Sequence, residues 1–463
     1  MALRWQLRPL CLAVLFVGLG ICGMSLPLQQ RSGDKAAGGI LALLPAVAFS
    51  LAAICALISV MAVWLLPPYV DLNIEGCVRR FQHVGFTEHE LELPSKTTQD
   101  GEMVERPSQR FRLRIYYPAA AAAGTQSTTP SGGLLSEEGG GPAVEPGKTG
   151  TAARHMSRDD WYALSKVTPE VPLPGFVYSH LGEMAIDAAE NAPRHAEAVN
   201  LPLIVFSHGL SAVPDVHWSV VSSLVRAGYV VAALTHNDGS AANVTLNDGS
   251  KFPYETGEMI CTAAGYDLEN VATERPAMEA TVKAHRCRQL RRRVAEMSCA
   301  CDYVLGNPGP VPVQVDPARI TFAGHSFGGA TAFLASELDE RATCCVAYDP
   351  WLETTHPVHP KYQQAGMRRC PGLHFMSSDW EGGDIDLNLS AMLSEKRLHA
   401  ASKRRVLEDT GHQSYTDFAL LAPMVLRKLG MLGTADSRLM FHTMLTETLE
   451  FIHEATEAAL PPV

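Results

Sequence analysis

The chain has 463 residues, a formal net charge of −11 at pH 7, 46% hydrophobic residues and 19% charged residues. The acidic balance argues against a nucleic-acid partner, because contacts to phosphates need a basic face. The length is sufficient for one large α/β domain with attachments or for two ordinary domains.

The cysteines indicate no metal site, and the basic residues indicate no phosphate-binding or lipid-binding face. The chain has 11 cysteines, an odd number, and Cys344 and Cys345 stand in an apolar stretch where free cysteine behaves as a small hydrophobe. We therefore predict no metal ion, no cofactor and no disulfide framework. The densest basic run, Arg286–Arg293, falls in a helical pattern and is predicted to be a solvated helix face.

Two long apolar segments open the chain. Residues 10–28 and 38–69 contain no charged residue, and each run is long enough to cross a hydrocarbon core of about 30 Å. We expect residues 1–70 to anchor the chain in a membrane through helices at 10–28 and 39–66. The alternative for the first run is a cleaved signal peptide. In both cases the basic flanks favour a cytoplasmic position for the rest of the chain.

The folded domain is predicted to begin at residue 71, with its first part at residues 71–118. Within it, Phe111–Tyr117 alternates apolar and basic residues and ends at a proline, which predicts a strand near a sheet edge. Residues 119–158 are rich in Ala, Gly, Pro, Ser and Thr and are predicted to be a flexible insertion. The remainder of the domain is expected at residues 159–455.

A buried strand at Leu203–Phe206 precedes the tripeptide His208-Gly209-Leu210. Glycine at this point lets the backbone approach a substrate oxygen closely. The N–H of Leu210 is therefore a candidate donor to an oxyanion. His208 comes early in the chain, whereas the catalytic histidine of the fold indicated by the next motif follows the nucleophile and the acid. We therefore predict that His208 anchors the loop.

The central motif is the pentapeptide Gly324-His325-Ser326-Phe327-Gly328. An apolar strand, Ile320–Ala323, precedes it, and small and apolar residues at helical spacing follow it. A G-x-S-x-G sequence between a strand and a helix is typical of the nucleophile elbow of α/β hydrolases, in which the serine sits on a strained turn. We predict Ser326 as nucleophile, Gly324 and Gly328 as the residues that permit the turn, and the N–H of Phe327 as the second oxyanion donor. The predicted fold is a mostly parallel central sheet flanked by helices.

A serine nucleophile needs a histidine and a carboxylate, which follow it in the order acid then histidine in this fold. His412 follows Gly411 after a late predicted strand and is the candidate base. Two candidate acids each follow a predicted strand: Asp349 after Cys344–Tyr348, and Asp379 after Leu373–Ser377. Spacing alone leaves these two nearly equal.

Four short motifs together resemble the platelet-activating-factor acetylhydrolases of the secreted and intracellular type II kind, the group VII phospholipases A2. The motifs are His208-Gly-Leu210, Gly324–Thr331 (G-H-S-F-G-G-A-T), Asp349-Pro350-Trp351 and Gly411-His412-Gln413. The resemblance covers roughly residues 108–430 apart from the insertion. It implies that the acid follows the strand directly after the elbow, which is Asp349 here. It also implies a calcium-independent serine esterase that removes short or oxidised sn-2 acyl groups from phospholipids. The insertion, the two apolar segments and Pro350 depart from the family pattern.

Three functions are compatible with these motifs. The first is a membrane-anchored esterase that acts on phospholipids resembling platelet-activating factor. The second is a general carboxylesterase, which would share every motif and prefer soluble esters. The third, from another class, is an inactive membrane-tethered binding protein on a hydrolase fold. An intact serine, acid and histidine in the expected order favours the enzymes over the binding protein.

Overall fold

The computed structural model describes most of the chain after residue 70. It covers residues 71–93, 96–99, 102–105, 109–121, 152–167, 180–268, 271–306, 311–355, 370–395 and 398–459. The helices predicted at 10–28 and 39–66 lie outside these ranges. Among the residues that are described, no helix has both the length and the hydrophobicity needed to cross a bilayer.

Strands rich in Val, Ile, Leu and Phe build the centre of the molecule, as expected for a sheet covered on both faces. In chain order the described strands are β1 (His83–Leu93), β2 (Lys96–Gln99), β3 (Glu102–Glu105), β4 (Gln109–Ala119), β5 (Ala152–Arg154), β6 (Ala185–Glu190), β7 (Leu201–Ser207), β8 (Val230–Thr235), β9 (Asn243–Thr245), β10 (Lys251–Pro253), β11 (Val315–His325), β12 (Ala342–Tyr348), β13 (Gly372–Ser377) and β14 (Lys403–Leu407).

One sheet contains ten of these strands in the order β14-β13-β12-β11-β7-β8-β4-β1-β6-β5. The six strands from β14 to β8 pair in parallel, whereas β4 is antiparallel to both of its neighbours. The sequence-based position of the strand at Phe111–Tyr117 near a sheet edge is therefore wrong. It belongs to β4, which lies between β8 and β1, because β1, β6 and β5 extend the sheet beyond it.

Helices cover the sheet. In chain order they are α1 (Arg158–Val167), α2 (Trp218–Ala227), α3 (Gly257–Ala263), α4 (Val271–Gly306), α5 (Phe327–Leu338), α6 (Asp384–Ser394), α7 (Phe418–Leu421), α8 (Pro423–Lys428) and α9 (Ser437–Ala459). The longest of these described helices is α4, with 36 residues.

Alternate residues of the strands divide the core into two layers, because successive side chains of a strand point to opposite faces. In β7, Leu203 and Val205 belong to the cluster that packs against α4, α5 and α6. Ile204 and Phe206 belong to the cluster that packs against α2 and α9. The sheet is thus buried on both faces, which is the α/β-hydrolase type of architecture that the elbow motif predicts.

The two ends of the predicted insertion at 119–158 lie in the folded domain. Ala119 is the last residue of β4, and Ala152–Arg154 forms β5, which is the edge strand next to β6. His155 is buried and its Nε2 lies 2.9 Å from Oδ2 of Asp417. Residues 122–151 of the insertion lie outside the described part of the chain.

Candidate active site

Ser326 occupies the turn between β11 and α5. Its backbone has φ 57° and ψ −119°, a conformation that is strained for any residue with a side chain. The Ser326 N–H donates to the carbonyl oxygen of Tyr348 at 2.9 Å, and its own carbonyl accepts from Trp351 N–H at 3.0 Å. These two bonds fix the backbone of Ser326 at the carboxyl end of β11. The residue is 8% exposed.

The glycines at 324 and 328 are required by close backbone contacts. A Cβ atom on Gly324 would lie 2.3 Å from the carbonyl oxygen of Gly328, and one on Gly328 would lie 2.1 Å from that of Ser207. Neither backbone atom can move without breaking the sheet or the helix. These contacts are the physical reason for the G-x-S-x-G spacing.

A chain of hydrogen bonds joins the three residues that the sequence singles out. Ser326 Oγ lies 2.9 Å from Nε2 of His412, and His412 Nδ1 lies 2.7 Å from Oδ2 of Asp349. His412 stands on a short 3-10 turn after β14, and Asp349 directly follows β12. The arrangement has the order serine, histidine, carboxylate that general-base activation of a hydroxyl requires.

Asp349 is fully buried and receives two hydrogen bonds from Ser377. The Ser377 N–H donates to Oδ1 at 2.7 Å, and its hydroxyl donates to Oδ2 at 2.8 Å. Together with the bond from His412 Nδ1, these two bonds fix the orientation of the Asp349 carboxylate. Asp379, the other candidate acid, lies near the loop before His412, where its N–H donates to the Thr410 carbonyl at 3.3 Å. Within the described structure, the carboxylate that accepts a hydrogen bond from His412 Nδ1 is that of Asp349.

The imidazole of His412 is held between two aromatic rings. Trp380 stacks on it with 4.2 Å between ring centroids and an interplanar angle of 18°. The His325 ring lies 4.7 Å away on a tilted plane, and its Nε2 lies 3.1 Å from the His412 carbonyl oxygen. Burial lowers the pKa of His325 well below its usual value, so this ring is neutral and can donate from Nε2. The two contacts restrict the orientation of a side chain that is 26% exposed.

The two candidate oxyanion donors belong to segments that adjoin Ser326. Phe327 is the first residue of α5, and the loop containing Leu210 follows β7. A Cβ on Gly209 would lie 3.4 Å from Cβ of Ser326, which puts this loop against the serine. In the described residues, neither the Leu210 N–H nor the Phe327 N–H donates to a protein acceptor. Both groups are thus available to a substrate oxygen.

His208 is buried and bonds to its own loop. Its Nδ1 lies 2.7 Å from the carbonyl oxygen of Gly209, and its Nε2 accepts from the N–H of His236 at 3.4 Å. Burial and then the charge of Arg293 lower the pKa of His208 well below its usual value. A neutral, internally bonded ring fits the predicted anchoring role.

Three further residues contribute to this site, and the sequence motifs assigned a role to none of them. Ser377 holds Asp349, while Trp380 and His325 pack against the ring of His412. Only His325 stands inside a recognised motif, at its second position.

The predicted solvated face at Arg286–Arg293 is wrong for two of its five arginines. Arg286 and Arg293 are buried, whereas Arg288 is exposed. The two buried arginines are seven residues apart, which puts them on one face of α4, and both are taken up by hydrogen bonds to loops. Arg286, Leu290, Arg293 and Met297 follow one another at intervals of four, three and four residues. This spacing puts them on one helix face, and it was the signal in the sequence that both arginines share a face with apolar residues.

The sequence matches the family described as platelet-activating factor acetylhydrolase, isoform II, over residues 170–307 and 311–459. These two ranges make up more than half of the chain. The chain belongs to this family.

Individual relatives are more distant. A platelet-activating factor acetylhydrolase from Cavia porcellus is 27% identical over 292 residues, which cover 59% of this chain and 61% of that protein. The one from Canis lupus familiaris is 26% identical over 320 residues, or 64% of this chain and 67% of that protein. The chain therefore spans about three fifths to two thirds of the length of these relatives. A putative phospholipase A2 from Schizosaccharomyces pombe is 23% identical over 315 residues, or 55% of this chain and 68% of that protein.

A solved structure has the same architecture. The ferulic acid esterase from Streptomyces cinnamoneus superposes with a TM-score of 0.54 at 20% identity, covering 84% of this chain and 93% of that one. At this identity the likeness concerns the fold alone. The chain has an α/β-hydrolase fold, as the resemblance of its motifs implies.

Proposed function

We propose that the protein is a serine esterase that removes the sn-2 acetyl or short acyl group from phospholipids resembling platelet-activating factor. The observation that carries this proposal is the hydrogen-bond chain from Ser326 through His412 to Asp349, at 2.9 Å and 2.7 Å. Membership of the acetylhydrolase family supports the choice of substrate class. The intact chain of bonds favours an enzyme over a binding protein that has lost its activity.

In the first half of the reaction, Ser326 Oγ attacks the ester carbonyl and His412 Nε2 accepts the hydroxyl proton. Asp349 stabilises the imidazolium that forms, and its hydrogen bond to Nδ1 keeps the ring in the tautomer that leaves Nε2 free to accept. The N–H groups of Leu210 and Phe327 receive the developing oxyanion. One such donor typically contributes about 3 kcal/mol to stabilisation of the transition state.

His412 then returns the proton to the departing lysophospholipid oxygen, which leaves an acyl group on Ser326. A water molecule repeats the attack with His412 as base and releases the carboxylic acid. Backbone N–H groups stabilise the charge in both halves. The proposal therefore includes calcium-independent hydrolysis.

The proposal also includes attachment to a membrane. The apolar segments at 10–28 and 39–66 are the predicted anchor, with the esterase domain on the cytoplasmic side. A phospholipid substrate partitions into a bilayer, so a tethered enzyme would meet it at a high effective concentration.

The test compares the full-length protein with its Ser326→Ala variant. Release of acid is measured from a phospholipid with an sn-2 acetyl group, from a long-chain analogue and from a soluble ester, each with and without a calcium chelator. We expect Ser326→Ala to reduce kcat on the acetyl substrate by about 10⁴-fold or more. Ser336→Ala is the matched control, because this serine also lies on α5 and its hydroxyl donates to the Phe333 carbonyl at 2.9 Å.

Each arm of this experiment tests a different part of the proposal. Undiminished activity of Ser326→Ala would reject Ser326 as nucleophile. Loss of activity in chelator would reject calcium independence. Activity on the soluble ester with neither phospholipid cleaved would move the protein to the general carboxylesterases.

A further inference from the structure

A second chain of serine, histidine and carboxylate lies behind the candidate active site. Ser207 Oγ lies 2.8 Å from Nε2 of His236, and His236 Nδ1 lies 2.6 Å from Oε2 of Glu296. All three side chains are 0% exposed, so no substrate can reach this serine. The arrangement has the connectivity of a catalytic triad and must have a different purpose.

Arg293 lies on α4, the helix that also carries Glu296, and it connects this helix to the loop that follows β7. It is 0% exposed, and one of its terminal nitrogens donates to the His208 carbonyl oxygen at 2.7 Å. Its Nε donates to Ser240 Oγ at 2.8 Å. Its guanidinium carbon lies 4.6 Å from the centroid of the Phe327 ring. Arg293 thus contacts both segments that supply the candidate oxyanion donors.

Arg293 makes its hydrogen bonds to neutral groups. One bond goes to the carbonyl of His208 and the other to the hydroxyl of Ser240, and the ion pair with the carboxylate of Asp238 is long, at 3.7 Å. Burial lowers the pKa of Arg293 to about 10, so it is still a cation at neutral pH. A buried cation with mostly neutral partners is costly to desolvate. Placement of the loop backbone is the gain that this arrangement offers.

The bonds in the loop act on the peptide that carries the Leu210 N–H. The Gly209 carbonyl and the Leu210 N–H belong to one planar peptide unit and point in opposite directions. The neutral ring of His208 donates from Nδ1 to that carbonyl, and its Nε2 accepts from His236 N–H. Arg293 holds the carbonyl of the preceding peptide, between His208 and Gly209. Two successive peptide units are therefore fixed.

We propose that Arg293, supported by the buried Ser207–His236–Glu296 chain, positions the Gly209–Leu210 peptide so that the Leu210 N–H points at the oxyanion. Arg293 is a positioning residue in this scheme and touches no reacting atom. The inference rests on the proposed function, in which Leu210 is one of the two donors. It extends that function by assigning the orientation of the donor to side chains of β7, β8 and α4.

The test uses Arg293→Lys and Ser207→Ala in the full chain. Lysine keeps the charge but cannot bond in two fixed directions, and Ser207→Ala removes only the hydroxyl that bonds to His236. The matched control is Arg288→Gln, an exposed arginine of the same helix. For each protein, kcat and KM are measured on an acetyl ester and on its thiono analogue, and thermal melting reports the fold. Sulfur accepts hydrogen bonds poorly, so the ratio of the two rates reports the oxyanion donors.

We expect Arg293→Lys to lower kcat on the carbonyl ester by about tenfold to 100-fold, with KM within about twofold, because a misdirected donor affects the transition state alone. The loss on the thiono ester is expected to be smaller, so the ratio of rates falls. Ser207→Ala should show the same change of ratio at about threefold. Arg288→Gln should match the wild type in every measurement.

The positioning role is rejected if Arg293→Lys folds and keeps the wild-type kcat, or loses the same factor on both esters. Should Arg293→Lys fail to fold, Ser207→Ala decides by the same ratio. Failure of the proposed function is recognised separately. In that case wild-type activity would not depend on Ser326, whereas failure of the positioning role alone leaves that dependence intact.

Discussion

At the scale of single residues, the least predictable feature of the site is its acid. Asp349 and Asp379 each follow a strand and each come between the elbow serine and His412. They differ in what surrounds them. Asp349 has a φ of 46°. Its carboxylate accepts two hydrogen bonds from Ser377 and one from Nδ1 of His412. A non-glycine residue at positive φ is costly and persists where its surroundings fix it.

Asparagine substitutions separate the two carboxylates. We expect Asp349→Asn to lower kcat by about 10³- to 10⁴-fold, because an amide in its place favours the wrong tautomer of His412. Asp379→Asn is the matched control and should change kcat by no more than about threefold. Steady-state hydrolysis of an acetyl ester, with melting curves for each protein, measures both. A crippled Asp379→Asn beside an active Asp349→Asn would transfer the role of acid to Asp379.

At the scale of elements, the site is built from strand ends. Ser326 follows β11, Asp349 follows β12, and His412 follows β14 after a short loop. Parallel strands present their carboxyl ends at one edge of a sheet, and this is where ligands of open α/β sheets bind. The sheet thereby brings together a serine and a histidine that are 86 residues apart, and a histidine and an aspartate that are 63 apart.

The end of α2 allows a test of one element by itself. The helix stops at Gly228, which has φ 109° and whose N–H donates to the carbonyls of Leu224 and Val225. The nearest atom to a Cβ at this position would be a ring carbon of Phe81 at 3.5 Å, which is an ordinary contact and not a clash. The cost of Gly228→Ala therefore comes from the positive φ of the backbone. We expect a loss of about 1–2 kcal/mol in the free energy of unfolding.

Urea denaturation measures this loss, with Gly257→Ala as control. Gly257 has no positive φ, and a Cβ there would be in ordinary contact with Val282 at 3.7 Å. The control should therefore differ little from the wild type. An unchanged midpoint for Gly228→Ala would show that the left-handed conformation is not a constraint on this helix end.

At the scale of the whole molecule, the interior holds several neutral imidazoles. Burial is the first cause of a lowered pKa at each of the four: His208, His217, His236 and His325. The pKa of His217 falls to about 4, although the Asp417 charge opposes the shift. The charge of Arg293 adds to burial at His208 and His236, and that of His412 adds to it at His325.

These histidines predict the direction of acid destabilisation. Below about pH 6.5 the unfolded chain binds protons that the folded chain does not, so stability falls as the pH falls toward the lowered values. Each group contributes a slope of at most about 1.4 kcal/mol per pH unit. Unfolding in urea between pH 7.5 and 5 should show this loss, and His217→Gln should reduce the slope by about one group's share. A flat profile, or the same slope in the variant, would contradict the assignment of His217 as a buried neutral ring.

The sequence by itself determined the local parts of this protein. The apolar strands and the G-x-S-x-G turn were recognisable because side-chain period and close backbone packing leave a signature within a few residues. Gly411-His412 and His208-Gly209-Leu210 were found in the same way. These motifs also indicated the family, which the match over 170–307 and 311–459 shows.

Only the tertiary structure decided what depends on distant segments. The strand at Phe111–Tyr117 looked like an edge strand, yet β1 and β6 pair beyond it, because an edge is defined by which backbone groups find partners. Arg293 looked solvated within a basic run, and it is buried because the carbonyl of His208 and the hydroxyl of Ser240 lie across from its helix. Hydrogen-bond partners remote in sequence fix both outcomes. The spacing of buried residues along α4 indicates which face of the helix is covered, but it does not indicate the groups that lie across from Arg293.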